Sequence, residues 1–326
     1  MVGVFRANNP INSFLLFLYG FFLKIAIFSL HPEPLINAGD GPLYKTVVAQ
    51  LQVLASGSTL IYVLISYILL YFQAVSLNRI INNQRMMPRT NYLPGMSYLL
   101  ITSLFVEWNI LSTPLIINSI LIFTLSKMMS LHNDLSPKAT LFNIGMLIGV
   151  ATFLYFPVIA FAFIVMVALI FLRPFKLSEW IMTLLGILMP FYLLFAWSYL
   201  SGDSSFYKFH FQKFQLPHFT LNYVKSAAIA VTLFSFIYGA TLLRLNMMKQ
   251  IVQVRKNWSL LLFYLPVAFV IPFINNNSNF EYWIMTAVPI AAFTGCAFFY
   301  TTKRWIGLLL HWLMVSIVVT VSILYK

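Results

Sequence analysis

Apolar residues run almost without interruption through eleven stretches of this chain, near 11–30, 59–77, 92–106, 112–130, 140–155, 157–172, 178–199, 222–243, 258–274, 281–300 and 305–324. Such runs offer water no polar face, and about 20 apolar residues suffice for a helix to cross the hydrocarbon core of a bilayer. The pattern predicts an all-α, polytopic transmembrane bundle of about 11 spans. Two of the runs, 140–155 and 157–172, are short and separated only by Phe156-Pro157. Proline removes a helix donor there, so the pair is expected either to cross separately or to form a broken, buried hairpin.

Two polar gaps are long enough to carry structure of their own. Residues 31–58 open with His-Pro-Glu-Pro and turn at Asn37-Ala38-Gly39-Asp40-Gly41-Pro42; Leu43, Val47, Leu51 and Leu54 then recur at helical spacing. That stripe predicts a short amphipathic helix from Leu43 to Ala55 lying in the membrane interface. Residues 201–221 mix Asp203, Lys208, His210, Lys213 and His218 with six aromatic residues, a composition suited to the headgroup layer. No gap holds a soluble domain and no repeat is visible, so residues 1–326 are expected to form one integral-membrane domain. The first run is too long for a signal-peptide core and lacks a small-x-small cleavage site, which makes it a retained anchor.

Composition agrees with the pattern: 61% hydrophobic and 8% charged residues, with a mean hydropathy of +0.87, leave too little polar surface for a soluble fold. The net charge of +13 raises the question of nucleic acid. Its distribution answers otherwise. Arg6, Arg79, Arg85, Arg89, Lys127, Lys138, Arg173, Lys176, Arg244, Lys249, Arg255, Lys256, Lys303 and Arg304 all fall on alternate gaps or flanks, as cytoplasmic cations do in short loops. The opposite face receives Glu33, Asp40, Glu107, Asp203 and Glu281; Asp134 and Glu179 are the acids left on the basic side. The expected orientation is N-terminus cytoplasmic and C-terminus outside, with membrane lipids as partners, no nucleic acid, and no protein partner indicated. The single cysteine, Cys296, lies in an apolar run and excludes an intrachain disulfide.

Chemistry-bearing residues are few. Asp40 stands between two glycines at the outer boundary, where the backbone of a bound substrate or acceptor can come close; an ordinary Asx turn accounts for the same residues. Glu107, at the outer end of the third run, is placed to face Asp40, or else it is a solvated loop carboxylate. Glu281 begins the tenth run and is read as a helix-start acid favoured by the dipole. Lys208, His210 and Lys213 suit phosphate or headgroup contacts. His31, His210 and His218 show no zinc-ligand spacing. Lys24, inside the first run, either snorkels outward or faces a cavity. The arginines of the 78–89 loop need no ligand beyond positive-inside topology. Walker loops, GxSxG elbows and paired CxxC motifs are absent, and no cofactor or metal is expected.

Taken together, several of these features resemble the GT-C class of membrane glycosyltransferases. The outer loop 31–58 with Asp40 follows the first span, as in that class; Leu77 to Lys127, with Asn91-Tyr92-Leu93-Pro94-Gly95, looks like its succeeding spans and basic turns. Gly145 and Gly149 before Phe-Pro, and Phe280-Glu281-Tyr282-Trp283 running to Pro289, are similar to its middle and late spans. The chain also resembles an uncharacterised family of bacterial inner-membrane proteins. It departs from the GT-C pattern in having one central loop acid instead of the frequent adjacent pair, and Glu281 where many relatives carry a basic residue.

The resemblance implies a transferase of the bacterial inner membrane that moves a sugar from a polyprenyl-phosphate carrier to an acceptor at the outer face. Asp40 would be its general base and Glu107 its acceptor-orienting partner, with Lys208, His210 and Lys213 on the donor phosphate. Two other classes fit the same sequence: a non-enzymatic membrane subunit or scaffold of an envelope assembly, and a transporter or flippase of lipid-linked precursors, for which inverted repeats are the missing sign.

Overall fold

The computed structural model describes residues 1–56, 58–201, 222–274 and 280–324, and all regular structure among them is helical. The order is α1 (Val2–Arg6), α2 (Ile11–Leu23), α3 (Ile25–Leu30), α4 (Pro42–Ala55), α5 (Leu60–Asn83), α6 (Leu93–Ser103), α7 (Thr113–Ser130), α8 (Pro137–Leu154), α9 (Ala162–Leu172), α10 (Leu177–Ser201), α11 (Tyr223–Met247), α12 (Val252–Val270), α13 (Ala287–Tyr300) and α14 (Arg304–Leu324). Short 3-10 turns at Val106–Asn109, Phe156–Phe161 and Phe280–Thr286 join some of them. Among the described residues, eight helical segments are long and apolar enough to cross a membrane, and Ile11–Leu23 and Phe156–Leu172 are shorter apolar helices.

The centre of the bundle is α13 packed on α6. The segment Phe280–Tyr300 is almost wholly buried, whereas α10 and α11 are mostly exposed and face outward. Every residue of α6 is buried. The helix stops at Ser103, inside the stretch 92–106 read from the sequence as a span. An eleven-residue helix rises only about 16 Å, roughly half the hydrocarbon core. Protein surrounds it on all sides, so its ends need not reach water on their own. Extended chain and a 3-10 turn carry it on to Leu111, whose carbonyl accepts from the Leu35 amide (2.9 Å) and the Tyr44 hydroxyl (3.2 Å).

Two further runs are also broken. The first separates at Lys24 (φ −107°, ψ 9°), whose side chain turns inward instead of snorkelling. Its ammonium donates to the Thr102 hydroxyl (3.0 Å) and to the Asn109 amide oxygen. The runs 140–155 and 157–172 part at Tyr155, which adopts an extended conformation before the 3-10 turn at Phe156-Pro157.

Small residues set the closest helix contacts. On α8 and α10, a Cβ at Gly145 would stand 2.5 Å from the Thr183 carbonyl oxygen and one at Gly186 would stand 2.3 Å from that of Phe142. Glycine lets the two backbones touch, the usual route to helix association where lipid removes the hydrophobic drive. Helix α4 forms at the predicted place, but its inward stripe is Tyr44, Val48 and Ala55. Leu43 and Leu54, from the predicted stripe, are exposed together with Val53. The large Tyr44 ring wins the inward position because its hydroxyl reaches the carbonyls of Leu35 and Leu111.

Candidate functional site

Asp40 is reached through a tight turn. Its amide donates to the Asn37 carbonyl (3.1 Å) while its carboxylate Oδ2 accepts from the Asn37 amide (2.7 Å), so each end of the turn satisfies the other. Gly41 then locks the turn against the end of α8: its amide donates to the Leu154 carbonyl (2.7 Å), and a Cβ there would lie 2.0 Å from the Phe153 carbonyl oxygen. The glycine after Asp40 is therefore required by chain packing. That is a different reason from the ligand access expected of it.

The turn delivers Asp40 to the 3-10 segment before α13. The Tyr282 hydroxyl donates to Asp40 Oδ1 (2.8 Å), and the two protons of the Asn37 side-chain amide go to Glu281 and to the Tyr282 hydroxyl (3.2 Å). Asn37 thus bridges two carboxylates, Glu281 through its side-chain amide and Asp40 through its backbone amide. Glu281 is 1% exposed and Asp40 5%, and neither makes an ion pair among the described residues. Burial raises the Asp40 pKa above its usual value, against the opposing pull of the Asn37 amide, the Thr113 and Tyr282 hydroxyls and Lys45. Tyr155 packs its ring 4.6 Å from that of Tyr282 and closes the side of the cluster towards α8.

Glu107 arrives by an aromatic route. The Trp108 indole donates to the Phe280 carbonyl (3.0 Å) and stacks on the Phe280 ring at 5.7 Å, which clamps the Val106–Asn109 turn to the segment carrying Glu281. Asp40 and Glu107 both act electrostatically on Glu281, so the three acids occupy one neighbourhood. Glu107 forms an ion pair with Lys225 at the start of α11, and its second carboxylate oxygen is buried without a partner among the described residues.

The structure therefore draws Asp40 and Glu107 towards a common centre, with Glu281 between them. Glu281 stands in the first turn of the 3-10 segment, as a helix-start acid would, and it is also a buried member of the cluster. Lys208, His210 and Lys213, with Asp203 and His218, lie outside the described residues. Asn37, Tyr282 and Lys225 had no distinguishing sequence signal: an Asn in a turn, a Tyr in an aromatic run and a Lys at a helix start are each commonplace. The group joins residues some 240 positions apart, and only the tertiary contact of the 31–41 loop with the 3-10 segment before α13 reveals it.

A family described as "Family of unknown function (DUF6427)" matches residues 42–325. The chain belongs to this family. Neither a curated protein nor a solved structure gives a match. In this DUF6427 chain the match includes Glu107, Lys225, Glu281 and Tyr282, and it begins just after the turn that holds Asn37 and Asp40.

Chemically, the arrangement places two hydrogen-bonded carboxyl groups together in a buried, acid-rich part of the bundle. Two carboxylates in one desolvated neighbourhood resist ionising together, and the hydrogen-bonded path Glu281–Asn37–Tyr282–Asp40 couples them. A carboxyl with a raised pKa suits general acid–base work, because it takes or gives a proton closer to neutral pH.

Proposed function

We propose that this protein is a GT-C-like transferase of the bacterial inner membrane, crossing about eleven times with its N-terminus cytoplasmic and C-terminus outside, and that its chemistry is centred on Asp40 and Glu281. The observation that carries the reading is the buried carboxylate pair bridged by Asn37. In the proposed step the acceptor hydroxyl oxygen attacks the anomeric carbon of a polyprenyl-phosphate sugar. The bond from that carbon to the phosphate oxygen breaks, the polyprenyl phosphate leaves with the electron pair, and Asp40 takes the hydroxyl proton as Tyr282 turns aside. Glu107, held by Lys225, orients the acceptor. Lys208, His210 and Lys213 keep the role read from the sequence, as charge-assisted donors to the carrier phosphate.

A non-catalytic membrane subunit is the second reading, and one observation favours it: both Asp40 oxygens already accept hydrogen bonds from the protein. Membranes carrying the wild type, Asp40→Asn or Glu281→Gln, incubated with a radiolabelled polyprenyl-phosphate hexose, separate the two. The transferase reading expects label to reach an acceptor, with a loss of about 10²–10⁴-fold in each variant at equal membrane abundance. Equal label in all three membranes leaves the subunit reading in place.

A further inference from the structure

At the opposite end of the bundle, the short helix α1 separates two cavities that follow one another along α14. The first, of about 610 Å³, is lined by Arg6, Arg89 and Arg304, with Gly3, Gly307 and Leu308 as its floor. A neighbouring cavity of about 590 Å³ shares Arg6 and Arg89 and adds Arg85. No acid lines either cavity, and none of these arginines is in an ion pair among the described residues. Arg6 is braced: its guanidinium donates to the Phe299 carbonyl (2.9 Å) and lies over the Phe299 ring.

The second cavity is a long apolar groove of about 860 Å³ between α2, α3 and α14, on the other side of α1. Its wall holds two polar side chains that nothing in the described protein satisfies. The Tyr19 hydroxyl and both ring nitrogens of His311 have no hydrogen-bond partner, although Tyr19 is 7% and His311 2% exposed. Leaving such groups unpaired away from water costs free energy. Both residues line the groove, and their rings meet edge to face at 5.9 Å.

We propose that this seam binds one glycerophospholipid of net negative charge, with the phosphate among Arg6, Arg89 and Arg304, the ester linkages at Tyr19 and His311, and an acyl chain along the groove. Three requirements point to this occupant. The unpaired arginines call for an anion, and phosphate meets guanidinium with matched geometry. The groove calls for an alkyl chain. The two orphaned side chains call for hydrogen-bond acceptors just below the anion, which a fatty-acid ester supplies and a polyprenyl phosphate lacks. The spacing agrees: Gly307 at the basic cavity and His311 at the groove are four residues apart on α14, about 6 Å of helix. This lies on the same scale as the separation of a phosphodiester from the glycerol esters of its own molecule. The site is independent of the acidic cluster, and its test does not depend on any transferase activity.

Trp312 lines the groove and serves as the reporter. The full chain in detergent is titrated with phosphatidylglycerol or phosphatidylcholine, each brominated on its acyl chains, and quenching is taken as the difference between the wild type and Trp312→Phe. Selective quenching by phosphatidylglycerol is expected, with apparent affinity at least about tenfold above phosphatidylcholine. Arg89→Gln with Arg304→Gln should bring the two lipids level; both arginines are exposed, so folding is not at stake. Tyr19→Phe, which keeps the ring, should weaken the wild-type preference for phosphatidylglycerol over polyprenyl phosphate, as should His311→Phe where it folds. Equal quenching by both phospholipids would reduce the seam to ordinary lipid contact and overturn the proposal. So would displacement of the lipid by millimolar inorganic phosphate alone, which marks a free-anion site. Equal binding of polyprenyl phosphate by the wild type, or a dimer that excludes lipid from Trp312, would also overturn it.

Discussion

A carboxylate held by Tyr282 on one oxygen and by the Asn37 amide on the other makes Asp40 as much a part of the fold as of any chemistry. Its raised pKa has a thermodynamic sign. The folded state binds the proton more tightly than the unfolded chain, so this term stabilises most below the ordinary Asp pKa and is lost as pH rises through the raised value. Asp40→Asn should therefore flatten the pH dependence of thermal stability in detergent from pH 4 upward; an unchanged slope would assign that dependence to other groups. Gly41 is the second sensitive position. A methyl group 2.0 Å from the Phe153 carbonyl oxygen forces the turn off α8, so Gly41→Ala should cost about 1–3 kcal/mol, read as a lowered melting temperature. Sequence alone marks Asp40 and Glu107 because acids are rare near apolar runs. It ranks Glu281 too low, since a helix-start carboxylate looks the same whether it meets water or, as here, an amide from residue 37.

Most of the helices can be read from hydrophobic run length alone, because in an apolar solvent the backbone must satisfy itself. The exceptions share a cause in side-chain partners that lie far along the chain. The break at Lys24 depends on Thr102 and Asn109, and the rotation of α4 depends on Leu35 and Leu111 receiving the Tyr44 hydroxyl. Helix α6 is short because its neighbours enclose it. Spin labels placed singly along α4 should thus show greatest immobility at positions 44, 48 and 55, and lipid or water contact at 43, 53 and 54. Maximal immobility at 43, 47 and 54 would restore the stripe expected from the sequence. On α11, a Cβ at Gly239 would stand 1.9 Å from the Phe293 carbonyl oxygen of α13. Gly239→Leu should accordingly lower thermal stability by at least about 1–3 kcal/mol, whereas Leu233→Ala on an exposed face of α11 should change it little.

Across the whole molecule, charge is sorted to the two ends: Asp40, Glu107 and Glu281 gather at one, and Arg6, Arg85, Arg89 and Arg304 at the other. That polarity, with short loops on the basic end, leads to the expectation that the arginines remain in the cytoplasm. Cysteines placed at the exposed positions Lys45 and Asn83 test it in intact cells with an impermeant thiol reagent; the native Cys296 is buried and does not interfere. Labelling at 45 and protection at 83 is the expected outcome, and the reverse would place the acidic cluster inside the cell. The enclosure of α6 by α13 carries a further consequence, for biogenesis. Helix α6 leaves the ribosome about 180 residues before the helix that will cover it. At about 5–20 residues per second this is a wait on the order of ten to forty seconds. Through that interval the face of α6 that α13 will cover, where Pro94 meets Gly295 in the finished protein, is without that shelter. A nascent chain stalled before α13 should therefore remain bound to an insertase or chaperone, and should become a substrate for membrane proteases once released.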